Sequence, residues 1–311
     1  MTDLTEPLTP KRLAELLAAP VGEALLSRAR VGSIEPFGAD KQVEDQTFKF
    51  MVSSSEGKPI AVVLCSPCVS PDLIVRGSAR AREAKNALGP ELGRAVLTPI
   101  AEGEVRGLSY AVLPYCEPLS DKHFKGWLQR RRVGPKVLSW LHGVTRQTMR
   151  DVSHADVHAR FHRPLWLLAE AIDATEPVRR AAEIGVRGLE QGRWTPRHVL
   201  MHNDLWKGNI LLDAHGEVVV IDWPGSRMDG YAIYDLVRLA DSFGIGDRAL
   251  GEQIATHCRV LGCEPKDGLS HLAAALGLLL SDLDRFPMHL FLPMADKCVS
   301  RAISAVRKIG G

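Results

Sequence analysis

Apolar and polar residues change period several times along this chain, and each change marks a predicted element. Leu13, Leu16, Leu17, Val21, Leu25 and Leu26 recur at near-helical spacing, so residues 10–30 are expected to form one or two short amphipathic helices broken at Pro20. From Val31 the text becomes β-like: residues 31–37, 46–53 and 59–65 predict three strands, the last two joined by a turn at 54–57. Residues 78–88, rich in Ala and Arg, predict a helix closed by Gly89 and Pro90. Two further strands are expected at 96–100 and 108–113, around an Ala-Glu-Gly-Glu turn, and a Pro-bounded connector follows at 114–118. Residues 119–195 read as mainly helical. Helices resume at 234–240 and over 248–309, where 269–283 has the texture of a buried helix.

Residues 199–224 break this pattern. Two apolar stretches, 199–201 and 210–212, flank His202, Asp204 and Asn209, and a turn at 213–216 leads into Val218, Val219, Val220 and Ile221. That β-branched run stops at Asp222, and a carboxylate at the end of a buried strand is held rigidly at the mouth of whatever cleft the strand reaches. Asp204 suits the task of orienting an acceptor hydroxyl and taking its proton. Asn209 and Asp222 offer hard oxygen ligands of the kind that hold Mg²⁺ bridging nucleotide phosphates.

The spacing His-x-Asp-x4-Asn, followed by an Asp on the next strand, resembles the aminoglycoside phosphotransferase and choline kinase group of the protein-kinase-like superfamily. That group reads His-Gly-Asp-Leu-x-x-Gly-Asn and then Asp-Trp or Asp-Phe. Here the motif stands as His202-Asn203-Asp204-Leu205-Trp206-Lys207-Gly208-Asn209 and Asp222-Trp223. The resemblance implies an α+β, two-lobed, protein-kinase-like fold. Its small N-terminal lobe would span 1–113, with a helical cap, a five-stranded sheet and one helix. A hinge would follow at 114–118, and a helical lobe at 119–311 would carry a catalytic hairpin at 199–224. It further implies ATP and Mg²⁺ as cofactors and a small hydroxylated molecule as acceptor. The hinge backbone at Tyr115 and Cys116 would meet the adenine, His202 would brace the catalytic loop, and Asp235 would cap its helix or hydrogen-bond back to that loop.

The small lobe departs from the pattern. The family's third strand carries a lysine for the α and β phosphates, paired with a glutamate on the next helix. This strand has Leu64 or Cys65 at that place, although Glu83 lies in the right helix. Lys49 and Lys58 are the nearest substitutes, and Arg76 or Arg80 are candidates to reach Glu83. Gly32 and Gly38 are isolated, so no glycine-rich phosphate loop is legible. Loss of an oriented cation slows phosphoryl transfer, because oriented charge is usually the largest catalytic contribution. Two classes of function therefore follow: an ATP-dependent kinase of a sugar, amino alcohol or antibiotic, or a weak or silent kinase-fold protein that binds nucleotide or a partner. A kinase of lipopolysaccharide sugars or protein side chains shares the same core.

Bulk properties narrow the picture further. At 311 residues two packed lobes are expected, and a net charge of +2 gives no electrostatic reason for a nucleic-acid partner. Arg130, Arg131, Arg132 and Lys136 read as a solvated helix end or loop. The six cysteines read as reduced cytoplasmic thiols, and Cys65 and Cys68 have zinc spacing without a second pair. The polar, acidic start lacks a signal-peptide pattern, and the longest apolar run, 272–280, is too short to span a membrane. His154, His158 and His162 recur every fourth residue, as exposed or core-edge histidines along one helix side.

Overall fold

The computed structural model describes residues 8–38, 47–282 and 287–310; Gln46 and Leu283, at the ends of two expected elements, lie outside them. The chain opens with α1 (Pro10–Leu25), then β1 (Val31–Pro36), β2 (Phe48–Ser54) and β3 (Pro59–Cys65). Next come α2 (Leu73–Leu92), β4 (Ala101–Val105), β5 (Leu108–Pro114) and β6 (Glu117–Pro118).

Helix α1 starts at a capping residue, with the Arg12 N–H donating to Thr9 Oγ1 at 3.2 Å, and runs through Pro20 without a break. The expected interruption is absent because Leu13, Leu17, Val21 and Leu25 are at most 1 % exposed. Four such burials at roughly 2 kcal/mol each outweigh the roughly 3 kcal/mol that an interior proline costs.

The five strands form one antiparallel sheet in the order β1-β2-β3-β5-β4. One face, carrying Phe50, Val52, Ala61, Val63, Cys65, Leu108, Tyr110 and Val112, packs into a single core with α1. Side chains alternate along a strand. Lys49, Leu64, Ala111 and Glu102 therefore lie on the other face, as one row across β2, β3, β5 and β4.

The fourth strand begins at Ala101, not at Val96. Gly93–Ala95 is a short 3₁₀ turn, Val96 makes an isolated parallel bridge to Val220, and the Leu97 N–H donates to Val220 O at 3.1 Å. The β4–β5 turn lies at Arg106 and Gly107, with φ of 52° and 78°, so the Ala-Glu-Gly-Glu segment is strand. Two successive positive φ values suit the right-handed twist of a two-residue hairpin.

Beyond β6 come α3 (His123–Thr148), β7 (Arg150–Asp151), α4 (His154–Val157), α5 (Arg163–Ala169), α6 (Glu176–Glu190) and β8 (Arg197–Met201). These are followed by β9 (Ile210–Leu212), β10 (Val218–Val220), β11 (Arg227–Gly230) and α7 (Tyr234–Phe243). The chain finishes with α8 (Asp247–Leu261), α9 (Gly268–Leu280) and α10 (Met288–Ile309). Residues 199–224 are not one hairpin. Strands β9 and β10 pair in the order β10-β9-β6, whereas β8 belongs to a separate sheet, β11-β8-β7. The β9–β10 turn is closed by Asp213, whose Oδ1 accepts from the His215 and Glu217 N–H groups at 2.8 and 2.9 Å.

The chain forms two compact units. The first comprises the described parts of Met1–Lys85, Arg94–Pro118 and Leu211–Pro224; the second comprises those of Asn86–Gly93, Leu119–Ile210 and Gly225–Gly311. In the second unit α9 is its most enclosed helix, with Leu272 through Leu276 at 0 % exposure. Its Gly277 presses on α5: an added Cβ would stand 1.9 Å from Pro164 O, a backbone atom that cannot swing away. Gly277→Ala is expected to cost about 2–3 kcal/mol, the scale of core overpacking. Urea denaturation of the two proteins measures it, and an unchanged midpoint would contradict this packing.

Arg130, Arg131 and Arg132 lie inside α3 rather than at a helix end, and Arg131 sits over the Trp127 ring at 4.9 Å. His158 and His162 stack at 5.1 Å within a π-helical turn, and His162 Nε2 meets Glu190 Oε1 at 3.1 Å. All six cysteines are free. Among the described residues, no helix is long and apolar enough to cross a membrane.

Candidate active site

A hydrogen-bonded polar constellation lies on the loop after β8. Met201, last in the strand, is fully buried, and the chain then turns at Asn203 with φ of 75°. That left-handed conformation explains the departure from the family's His-Gly-Asp, since asparagine is among the few non-glycine residues that tolerate it. Two backbone donors in the turn are captured by one carboxylate. The His202 N–H donates to Asp235 Oδ2 at 2.6 Å and the Asn203 N–H to Asp235 Oδ1 at 3.0 Å. Asp235 sits in the first turn of α7, so it binds the loop instead of capping its own helix with a side-chain hydrogen bond. Burial pushes its carboxyl up to about 7, against the two N–H bonds, which pull it down.

Asp204 is held on both sides. Its N–H donates to His202 Nδ1 at 3.3 Å, and Asn209 Nδ2 donates to Asp204 O at 2.8 Å and to Asp204 Oδ2 at 3.0 Å. Asn209 is buried at the end of a 3₁₀ turn, Lys207–Asn209, whose first N–H donates to Ser242 Oγ at 2.9 Å. A Cβ at Gly208 would come within 2.5 Å of the Trp206 ring, so a larger residue there would displace that half-exposed side chain. The structure thus brings His202, Asp204, Asn209 and Asp235 together. It adds Arg238, one turn along α7 from Asp235, whose Nη2 lies 3.6 Å from Asp204 Oδ1. Arg238 was absent from the sequence reading, although its i+3 spacing from Asp235 places both on one helix face.

Asp222 belongs to the first unit, two residues past β10, with φ of 68°. The segment around it is fixed. Trp223 Nε1 donates to Val220 O at 3.0 Å, and Pro224 packs on α2 at Gly77, where a Cβ would lie 2.8 Å from the proline ring. Asn209 turns its amide nitrogen to Asp204, which leaves the amide oxygen outside those two hydrogen bonds. Among the described residues no three His, Cys, Asp or Glu gather into a metal cage. An Asn oxygen and an Asp carboxylate are nonetheless the donor types that suit Mg²⁺, which takes few protein ligands and completes its shell with phosphate and water.

The remaining expected positions lie in the first unit. Lys49 is exposed on β2 and stands directly opposite Leu64, while Cys65 is buried in the core on the other face. Glu83 does not meet Lys49; it pairs with Arg80 at 2.8 Å, and Arg76 pairs with Asp72. Lys58 pairs with Glu56 in the turn. Other α2 cations have partners beyond their own helix: Arg82 pairs with Glu102, and Lys85 Nζ donates to Thr98 Oγ1 at 3.1 Å. The Tyr115 N–H is committed to Ile60 O at 3.1 Å. Cys116 is buried, which together with Asp213 pushes its thiol up to about 11. A groove of about 1110 Å³ runs between α1 and β1, and none of the candidate residues lines it.

A β-sheet N-terminal region, a helical C-terminal region and the His-x-Asp-x4-Asn loop define a protein-kinase-like fold. The pattern of the phosphotransferase enzyme family, APH, matches residues 95–269, more than half of the chain, and the chain belongs to that family. Among solved structures, the chain is similar to a thermostable mutant of the aminoglycoside phosphotransferase APH(4)-Ia in ternary complex with AMP-PNP and hygromycin B. That match has 14 % identity and a TM-score of 0.51, covering 94 % of this chain and 99 % of that one. A further structure of the aminoglycoside phosphotransferase APH(4)-Ia gives 13 % identity and 0.51, over 94 % and 100 %. The choline kinase LicA from Streptococcus pneumoniae gives 15 % and 0.45, over 94 % and 99 %. No curated protein matches the sequence.

Proposed function

We propose that this phosphotransferase moves the γ-phosphoryl group of ATP to a hydroxyl of a small molecule, with Asp204 orienting that hydroxyl and accepting its proton. The observation that carries the reading is the double restraint on Asp204. His202 fixes its backbone, Asn209 fixes its carboxylate, and Asp235 fixes the turn beneath both. A rigid carboxylate aimed at one place is what an in-line transfer asks of the protein, since positioning and charge stabilisation do most of the work. Asn209 and Asp222 would hold Mg²⁺, which when bound neutralises phosphate charge. Tyr115 and Cys116 are the proposed adenine contacts, and Lys49 is the proposed cation beside the phosphates, with Glu83 left to its pair with Arg80. The 114–118 segment would serve as hinge between a lobe at 1–113 and one at 119–311.

One observation favours a second reading, a weak or silent nucleotide-binding protein. Leu64 faces Lys49 where the family places its lysine, and Glu83 is paired on its own helix. Calorimetry with ATP and Mg²⁺, followed by ADP release across a broad panel of hydroxylated compounds, separates the two. Binding with turnover is expected. Binding without any turnover would establish the silent reading, and no nucleotide binding would end both.

A further inference from the structure

The charges around Asp204 bear on what kind of acceptor stands before it. Arg238 carries five N–H donors, yet among the described residues it makes no hydrogen bond, and its one ion pair is the 3.6 Å approach to Asp204. Its Nε is buried without a partner, and its side chain is 30 % exposed, so the guanidinium is fixed at its root and open at its fork. Apart from Asp204 itself, the carboxylates of α7 are spent. Asp235 is fully enclosed and holds two backbone N–H groups. Asp241, one turn further along α7, is matched by Lys297 and Arg301 of α10, both at 2.8 Å. On the loop, Lys207 is near only Asp121, at 3.9 Å, among the described residues. Tyr234 and Cys298, which also face Arg238, are buried and their burial raises both, so they stay neutral.

An ammonium group on the carbon next to the reacting hydroxyl would therefore meet a guanidinium and find no unspent carboxylate on α7. A planar oxyanion there would find a forked donor whose geometry matches carboxylate and phosphate oxygens. We propose that Arg238 selects the acceptor, and that the acceptor is a hydroxyl compound bearing an oxyanion, carboxylate or phosphate, close to the phosphorylated oxygen. This rests on the reading of Asp204 as the residue that receives the acceptor, and it replaces the amino alcohol and amino sugar among the expected substrates with an anionic one. In the reaction the acceptor O–H bond breaks, its proton goes to Asp204, the oxygen bonds the γ-phosphorus, and ADP leaves with the electron pair of the broken P–O bond.

The test is binding, measured separately from turnover. Calorimetric titrations of the full chain, with a non-hydrolysable ATP analogue and Mg²⁺ present, compare four probes: gluconate, glycerol 3-phosphate, glucose and ethanolamine. At least one of the two anions is expected to bind tenfold or more tightly than glucose and ethanolamine, and whichever anion binds names the oxyanion. In Arg238→Ala that preference is expected to vanish at unchanged melting temperature, and Arg238→Lys is expected to restore part of it. Tighter binding of ethanolamine, binding of none of the probes, or an anion preference that survives Arg238→Ala overturns the proposal. Turnover of a cationic acceptor that is lost in Asp204→Ala would overturn it too while leaving the phosphotransferase reading intact. With ATP in place of the analogue, anion binding without any ADP release would overturn the phosphotransferase reading, and with it the anion's role as acceptor, while the Arg238 anion site itself would stand.

Discussion

Replacing Asp204 by alanine is expected to lower kcat by about 10³–10⁴-fold while the affinity for ATP changes by less than threefold. The size follows from what a positioned acid–base group contributes, roughly 10²–10⁴-fold, toward the upper end because this residue is restrained at both its backbone and its carboxylate. Asn209 Nδ2 is 3.0 Å from Asp204 Oδ2, so the carboxylate is positioned before any acceptor arrives, and its removal takes away orientation as well as basicity. A fall in kcat with nucleotide affinity unchanged marks an interaction made in the transition state rather than in ground-state binding. Steady-state ADP release with calorimetry on the same samples measures both. A loss under tenfold would show that the transferred proton has another destination.

The second large effect concerns stability. Asp235→Ala is expected to cost about 4 kcal/mol, because it orphans the His202 and Asn203 N–H groups, at roughly 1–3 kcal/mol for each buried donor left unpaired. Asp235→Asn keeps an acceptor oxygen and tests the charge instead. Burial raises the Asp235 carboxyl from 3.8 to about 7 in the folded protein, so between those values the folded state binds the proton more tightly than the unfolded chain does. Stability from this group is therefore complete below about pH 4 and is lost as pH rises through about 7. The wild type should lose stability relative to Asp235→Asn across that window, as read by urea midpoints at pH 5 and pH 8. Parallel profiles would mean that the carboxylate stays ionised throughout.

How much of this was legible in the sequence depended on whether the signal was local. Strand β3 was read at its observed bounds because its apolar run ends in turn residues on both sides. The loop from His202 to Asn209 was legible for the same reason, since each hydrogen bond within it joins residues two to five apart. What failed was set by distant partners. Val96 and Leu97 look like the start of a strand, but their backbone groups go to Val220, far along the chain. Pro20 looks like a break, and the core beneath α1 overrides it. Strands β8 and β9, close in sequence, pair with different neighbours. Arg238 stands beside Asp204 only because Asp235 ties α7 to the loop, and nothing within either segment alone announces that.

The row Lys49, Leu64, Ala111, Glu102 has a consequence for how such sequences are scanned. Directly opposed positions on neighbouring strands put their Cβ atoms about 5 Å apart, and like charges so placed repel. A lysine at position 64 opposite the lysine at position 49 would therefore cost up to about 1 kcal/mol, so placing the charge on the third strand instead is easiest as two coordinated substitutions. The occupancy of the two strands is a single linked character, so a relative that trades one lysine for the other has changed the address of a cation without changing its number.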